Sequence, residues 1–129
     1  MTAPDGSTDR PRTREVCFLI GAGDAVLWAD ASDSAAALPD SRARWEAIWN
    51  RRDELVEIAH SHPHGPAAFS REDDTTMDAL DSALGRAMRY SVVAPRATIA
   101  RRGEQTFEVV PEPWWAALLR LASGMDREE

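Results

Sequence analysis

Positions 1 to 14 are polar, with Pro4, Gly6 and Pro11 among them, and read as a loose tail. From Glu15 the pattern becomes strand-like. "EVCFLI" and "AVLWADA" read as strands, and the "GAGD" between them supplies the glycines of a tight hairpin. "DSAAALPD" reads as a loop. Trp45, Ile48, Trp49 and Leu55 then form most of an apolar stripe at helical spacing, predicting a helix capped by Asp40 or Ser41. "LVEIAHSH" reads as a mostly buried strand. A second helix is predicted from Ser70, with Met77, Leu80 and Leu84 on one face and Gly85 as its stop. "RYSVVA", "ATIARR" and "QTFEVVP" read as further strands, and "PWWAALLRLA" as a closing helix with Pro113 near its start. Trp114 and Trp115 are adjacent, so they cannot both face one way. The order of elements predicts an α/β (α+β) fold, a mixed β-sheet flanked by helices.

Composition narrows this further. The 129 residues suffice for one hydrophobic core and not for two, so one domain over 15–124 is expected between tails at 1–14 and 125–129. A chain 43% hydrophobic and 29% charged is of the globular class. Its longest apolar runs, "VCFLIGAG" and "WWAALLRLA", are too short to span a bilayer, and its first residues lack a secretory signal's apolar core. Cys17 is the only cysteine, which excludes an internal disulfide and fits a reducing, cytoplasmic location. A formal charge of −7 argues against nucleic acid as a partner. All fifteen basic residues are arginine. Codon bias is the simpler account; avoidance of lysine beside lysine-conjugating machinery is the alternative.

The chemistry concentrates in "HSHPHGPAAFSREDD", which holds all three histidines, His60, His62 and His64. Side chains at i and i+2 of a strand share a face, so His60 and His62 can hold one metal ion between them. Pro63 ends the strand directly afterwards, which leaves the pair at an open strand end. Asp73, in the first turn of the next helix, is placed to return as a third, oxygen ligand. Two imidazoles and a carboxylate make the ligand set of a catalytic zinc, with a fourth position left for water. Ser70 and Asp73 also form S-x-x-D ahead of an apolar periodic helix, which is a capping signature in its own right.

The joint spacing resembles the motif of the JAMM metallopeptidases (the JAB/MPN+ family): an upstream glutamate, His-x-His, seven residues, serine, two residues, aspartate. His60, His62, Ser70 and Asp73 match it, with the common proline after the second histidine at Pro63. The resemblance covers most of the chain and implies an MPN/JAB (cytidine-deaminase-like) architecture. It implies Zn²⁺ on His60, His62 and Asp73, an oxyanion donor in Ser70, and a general base upstream. Glu15, opening an early apolar strand, is the best match for that base. Glu57 lies on the histidine strand but at odd spacing, so its side chain should face away. Glu46 and Glu54 read as surface residues of the first helix. His64 matches no ligand position, and Cys17 is in phase with Glu15.

Three departures stand out. The tail replaces a helix that many members carry before the glutamate, so the last helix or a partner must cover that sheet face. Glu57 stands where relatives often have glycine. Short loops at 31–41 and 85–96 look like those of a minimal prokaryotic member.

The resemblance implies a zinc-dependent peptidase or isopeptidase acting at the C-terminus of a ubiquitin-like protein, with E1-like or E2-like proteins as pathway partners. The alternatives are processing of a sulfur-carrier protein, and a non-catalytic MPN-type scaffold or RadC-like domain.

Overall fold

In the computed structural model, which describes residues 13–32 and 41–125, the elements run β1 (Val16–Gly21), β2 (Val26–Ala31), α1 (Arg42–Asn50), β3 (Leu55–Ser61), α2 (Arg71–Leu84), β4 (Arg89–Val93), β5 (Thr98–Arg102), β6 (Gln105–Glu108) and α3 (Trp114–Ser123). The strands form one mixed sheet in the order β2-β1-β3-β4-β5-β6. Neighbours are antiparallel except β3 and β4, which are parallel and joined through α2. That β-α-β connection puts a strand end beside a helix start, the usual place for a ligand in such sheets. Among the described residues no helix is long and apolar enough to cross a membrane.

Alternation along β1 explains why the whole strand is buried. Cys17 and Leu19 face one layer, where Ile48 of α1 and Met77 and Leu80 of α2 meet Ile58 and Tyr90 of the sheet. Val16, Phe18 and Ile20 face the other, packed with Ala59, Val93 and the α3 residues Trp115, Ala116 and Leu119. A strand covered on both faces reads as a continuous apolar run, as "VCFLI" does. The last helix therefore covers the sheet face for which the sequence called for either that helix or a partner. Trp115 is 1% exposed and Trp114 58%, so the adjacent pair divides between core and surface. Both indole N–H groups reach Asp24 in the β1–β2 turn, Trp114 at its carbonyl and Trp115 at its carboxylate.

The first hairpin closes within "GAGD" as expected, through a short 3-10 turn at Ala22–Asp24 with Gly23 and Asp24 both at positive φ (67° and 62°). The structure differs from the sequence pattern in two places. Leu55 belongs to β3 and not to the first helix, which stops at Asn50. The buried face of α1 is Arg44, Ala47 and Ile48, leaving Trp45 and Trp49 partly exposed. Arg44 accounts for that rotation, because its guanidinium forks onto the Asp30 carboxylate of β2 at 3.2 and 3.1 Å. Arg52 lies over the Trp49 ring at 4.0 Å, so that indole is covered by a cation instead of the core. Ser41 caps α1, accepting from Arg44 N–H; Asp40 and the rest of the 33–40 loop lie outside the described residues.

Most of the expected tails, residues 1–12 and 126–129, also lies outside the described residues. Arg14, next to the first of them, donates from its backbone N–H to Ser123 and from its side chain to Ala122.

Candidate metal centre

Strand alternation places His60 and His62 on one sheet face, and the backbone then holds them there. His62 N–H continues the parallel ladder by donating to Val93 O at 2.9 Å, and Gly65 N–H turns the chain back onto His62 O. Pro63 is buried and ends β3 as its missing donor requires. At the start of α2, Ser70 and Asp73 form a reciprocal capping box. Ser70 Oγ accepts from Asp73 N–H at 3.0 Å, and Asp73 Oδ2 accepts from Ser70 N–H at 2.8 Å. The box that starts the helix also fixes the direction of the Asp73 carboxylate.

The result is a triangle of three donor atoms. His60 Nε2 lies 3.1 Å from His62 Nε2, and Asp73 Oδ2 lies 3.3 and 3.4 Å from them. Tetrahedral zinc with bonds of about 2.0–2.1 Å separates its ligand atoms by roughly 3.3 Å, so the spacing fits that ion. The tautomer fits as well. His62 Nδ1 is 3.0 Å from Pro66 O, so it carries the proton and leaves the Nε2 lone pair toward the triangle. Two imidazole nitrogens and an oxygen also suit other divalent metals; they do not select zinc by themselves. His60, His62 and Asp73 are a group able to hold a metal ion, and all three line the cleft between α1 and α2.

Electrostatics point the same way. Burial alone would raise the Asp73 pKa, but hydrogen bonds from His60, His62 and Ser70 N–H hold the carboxyl well below the usual range. Burial would lower the His62 pKa, but Asp73, the Pro66 carbonyl and Glu15 outweigh it and raise the value. The acidic surroundings favour a cation at the triangle, whether a proton or a metal. Zinc added to metal-free protein at a hundredfold excess over its Kd is expected to add about 2.7 kcal/mol of stability. That should raise Tm by roughly 10 °C. A melting curve that zinc leaves unmoved would count against a metal site.

Glu15 sits just before β1, 7% exposed, and faces the same cleft as the triangle without joining it. Ser61 anchors this approach: its hydroxyl accepts from Val16 N–H at 2.9 Å and donates to Arg14 O at 3.4 Å. Burial raises the Glu15 pKa, the histidines lower it and Asp73 raises it, with a net upward shift. Glu57 points to the opposite face, as alternation requires, and is buried against Ser91 Oγ and Arg89 Nε. Cys17 pairs across the sheet with His60 and lines the cleft, and burial pushes its thiol up to about 12, so it is a neutral wall. His64 is exposed at the rim, 3.1 Å from Thr13 Oγ1.

Sequence reasoning missed the groups that hold α2 in place. Arg101 of β5 pairs with Asp74 and Asp78 of α2 at 3.2 and 2.6 Å. Tyr90 OH donates to Asp81 at 2.7 Å, and Asp81 also accepts from Met88 N–H. These partners are distant along the chain and form no local motif.

No curated protein matches the chain. Residues 9–114 match the family described as prokaryotic homologs of the JAB domain. That span includes Glu15, His60, His62, Ser70 and Asp73, all six strands, and both helices that wall the cleft. With its mixed sheet, its β-α-β crossover and its His-His-Asp triangle, this chain belongs to the prokaryotic JAB-domain family.

Proposed function

We propose that the protein is a zinc-dependent peptidase or isopeptidase that cuts at the C-terminus of a ubiquitin-like protein. The observation that carries this reading is the triangle of His60, His62 and Asp73 with the buried Glu15 beside it in one cleft. A zinc ion seated there would polarise a substrate carbonyl and make water nucleophilic near neutral pH.

The protein's own groups divide the remaining work. Glu15 accepts the proton of the attacking water and returns it to the leaving amine, a task suited to a carboxylate raised by burial. Ser70 Oγ already accepts from Asp73 N–H, and its own proton is directed to the carbonyl oxygen as charge develops there. Among the described residues β2 is the sheet edge nearer the site, and its end is tied to Glu15 by Ser32 N–H donating to Glu15 O. An extended substrate tail adds to that edge as a further strand.

Ser70→Ala tests the double duty of the serine. Loss of the cap should cost about 1 kcal/mol of stability. Loss of the oxyanion donor should lower kcat by about 10²–10³. A variant that melts earlier but turns over normally would leave Ser70 as a cap only.

The function itself is tested by giving zinc-loaded protein two substrates, a ubiquitin-like protein conjugated through lysine and the same protein carrying a C-terminal amino-acid extension. Release of the conjugated target supports deconjugation. Cleavage of the extension alone supports sulfur-carrier or precursor processing. With neither product formed, the scaffold reading replaces the enzyme.

A further inference from the structure

The cleft that holds the triangle is larger than a metal and a carbonyl need. It measures about 710 Å³ and runs between α1 and α2 over the sheet. One end carries Glu15, His60, His62, Ser70 and Asp73. Away from that end the lining is of another character: Ile48 on α1, Met77 and Leu80 on α2, and Ile58 and Tyr90 on the floor. The polar groups of this part are satisfied. Tyr90 OH donates to Asp81, Cys17 is protonated at neutral pH, and the Arg44 guanidinium is committed to Asp30. Trp45 and Thr76, on opposite walls, are the more exposed residues of this part, which places them at its mouth.

We infer that this apolar part is a subsite for a bulky hydrophobic side chain carried next to the bond that is cut, with Trp45 and Thr76 setting its width. The inference rests on the metal-dependent hydrolase reading and adds a substrate preference to it. Its basis is continuity: the triangle and these apolar side chains line one cleft, so a group bound at the triangle has apolar walls within reach, with Glu72 at the exposed rim. A side chain of leucine or phenylalanine size fits well within the volume. Burying one is worth about 1.5–3 kcal/mol, which corresponds to roughly 10–100-fold in affinity or in kcat/KM. An anionic side chain would lose its water there and meet Glu72, since the Arg44 guanidinium is held by Asp30.

The test uses hydroxamates, which anchor on the metal and differ only in the attached group. Zinc-loaded protein is titrated calorimetrically with acetohydroxamate, hexanohydroxamate, 3-phenylpropanohydroxamate and succinic monohydroxamate. The expected result is that the hexanoyl and phenylpropanoyl compounds bind 10–100-fold more tightly than acetohydroxamate, with the succinic compound no better. Thr76→Arg, an exposed position on α2 outside the metal cluster, should abolish that preference and leave acetohydroxamate binding unchanged. Trp45→Ala should widen the mouth and shift the preference toward the aromatic compound. Equal affinity for all four compounds, or a preference that survives Thr76→Arg, overturns the subsite. Failure of every hydroxamate to bind overturns the metal reading beneath it, so the two failures are distinguishable.

Discussion

His62→Ala should yield a folded protein that retains no zinc and has no measurable turnover. The side chain supplies one corner of the donor triangle, 3.1 Å from His60 Nε2 and 3.4 Å from Asp73 Oδ2, and removing it leaves two donors. Outer-shell partners of metal ligands are commonly worth 10–100-fold in affinity, so losing a ligand itself should cost more than about 100-fold. The chemical loss is larger. Without the ion, water must react from a pKa of about 15.7 rather than about 7. The fold should survive, since His62 stands just past the end of β3 and, among the described residues, its side chain's hydrogen bond outside the triangle is to the Pro66 carbonyl, worth about 1 kcal/mol. The measurements are zinc stoichiometry, hydrolysis rate, and the melting curve of the metal-free variant. Full zinc occupancy in the variant would place the metal elsewhere.

Glu15→Gln should separate the metal from the chemistry. The amide matches the carboxylate in shape, and Glu15 lies outside the donor triangle, so zinc stoichiometry should be unchanged. A general base contributes about 10²–10⁴ to the rate, and kcat should fall by that factor with KM little altered. Stability offers an independent reading. Burial raises the Glu15 pKa in the folded state, so folding is favoured when this group is protonated, and that contribution is lost as pH rises through the raised value. Glutamine stays neutral throughout. The metal-free variant should therefore melt above the parent at pH 7, and the gap should close as pH falls below the ordinary carboxyl value of 4.5. Loss of zinc from the variant would make Glu15 a ligand and not a base.

The legible parts of this chain are those with a local period. β1 and β3 announce themselves as apolar runs because both their faces are covered, and α2 is marked by its capping box and by Gly85 in the left-handed conformation at its end. The site was legible for a different reason: His-x-His at a strand end and Ser-x-x-Asp at a helix start need only short-range geometry. Three features were not legible. The face of α1 is hidden because an arginine, Arg44, is buried on Asp30 while tryptophans stay near solvent, which inverts the hydropathy pattern. Leu55 fell in helical phase by coincidence of spacing. The Arg101 and Tyr90 ties onto α2 join β5 and β4 to a helix that precedes both, and no sequence period records such pairings.

The capping box has an evolutionary consequence. Ser70 and Asp73 would be retained for the start of α2 even in a copy that had stopped binding metal, because replacing either exposes helix N–H groups. His60 and His62 have no comparable second duty. In a lineage drifting away from catalysis the histidines should be lost first and Ser-x-x-Asp last. A decayed descendant would therefore still look half-equipped, and its histidines, not its serine and aspartate, would report whether the chemistry survives.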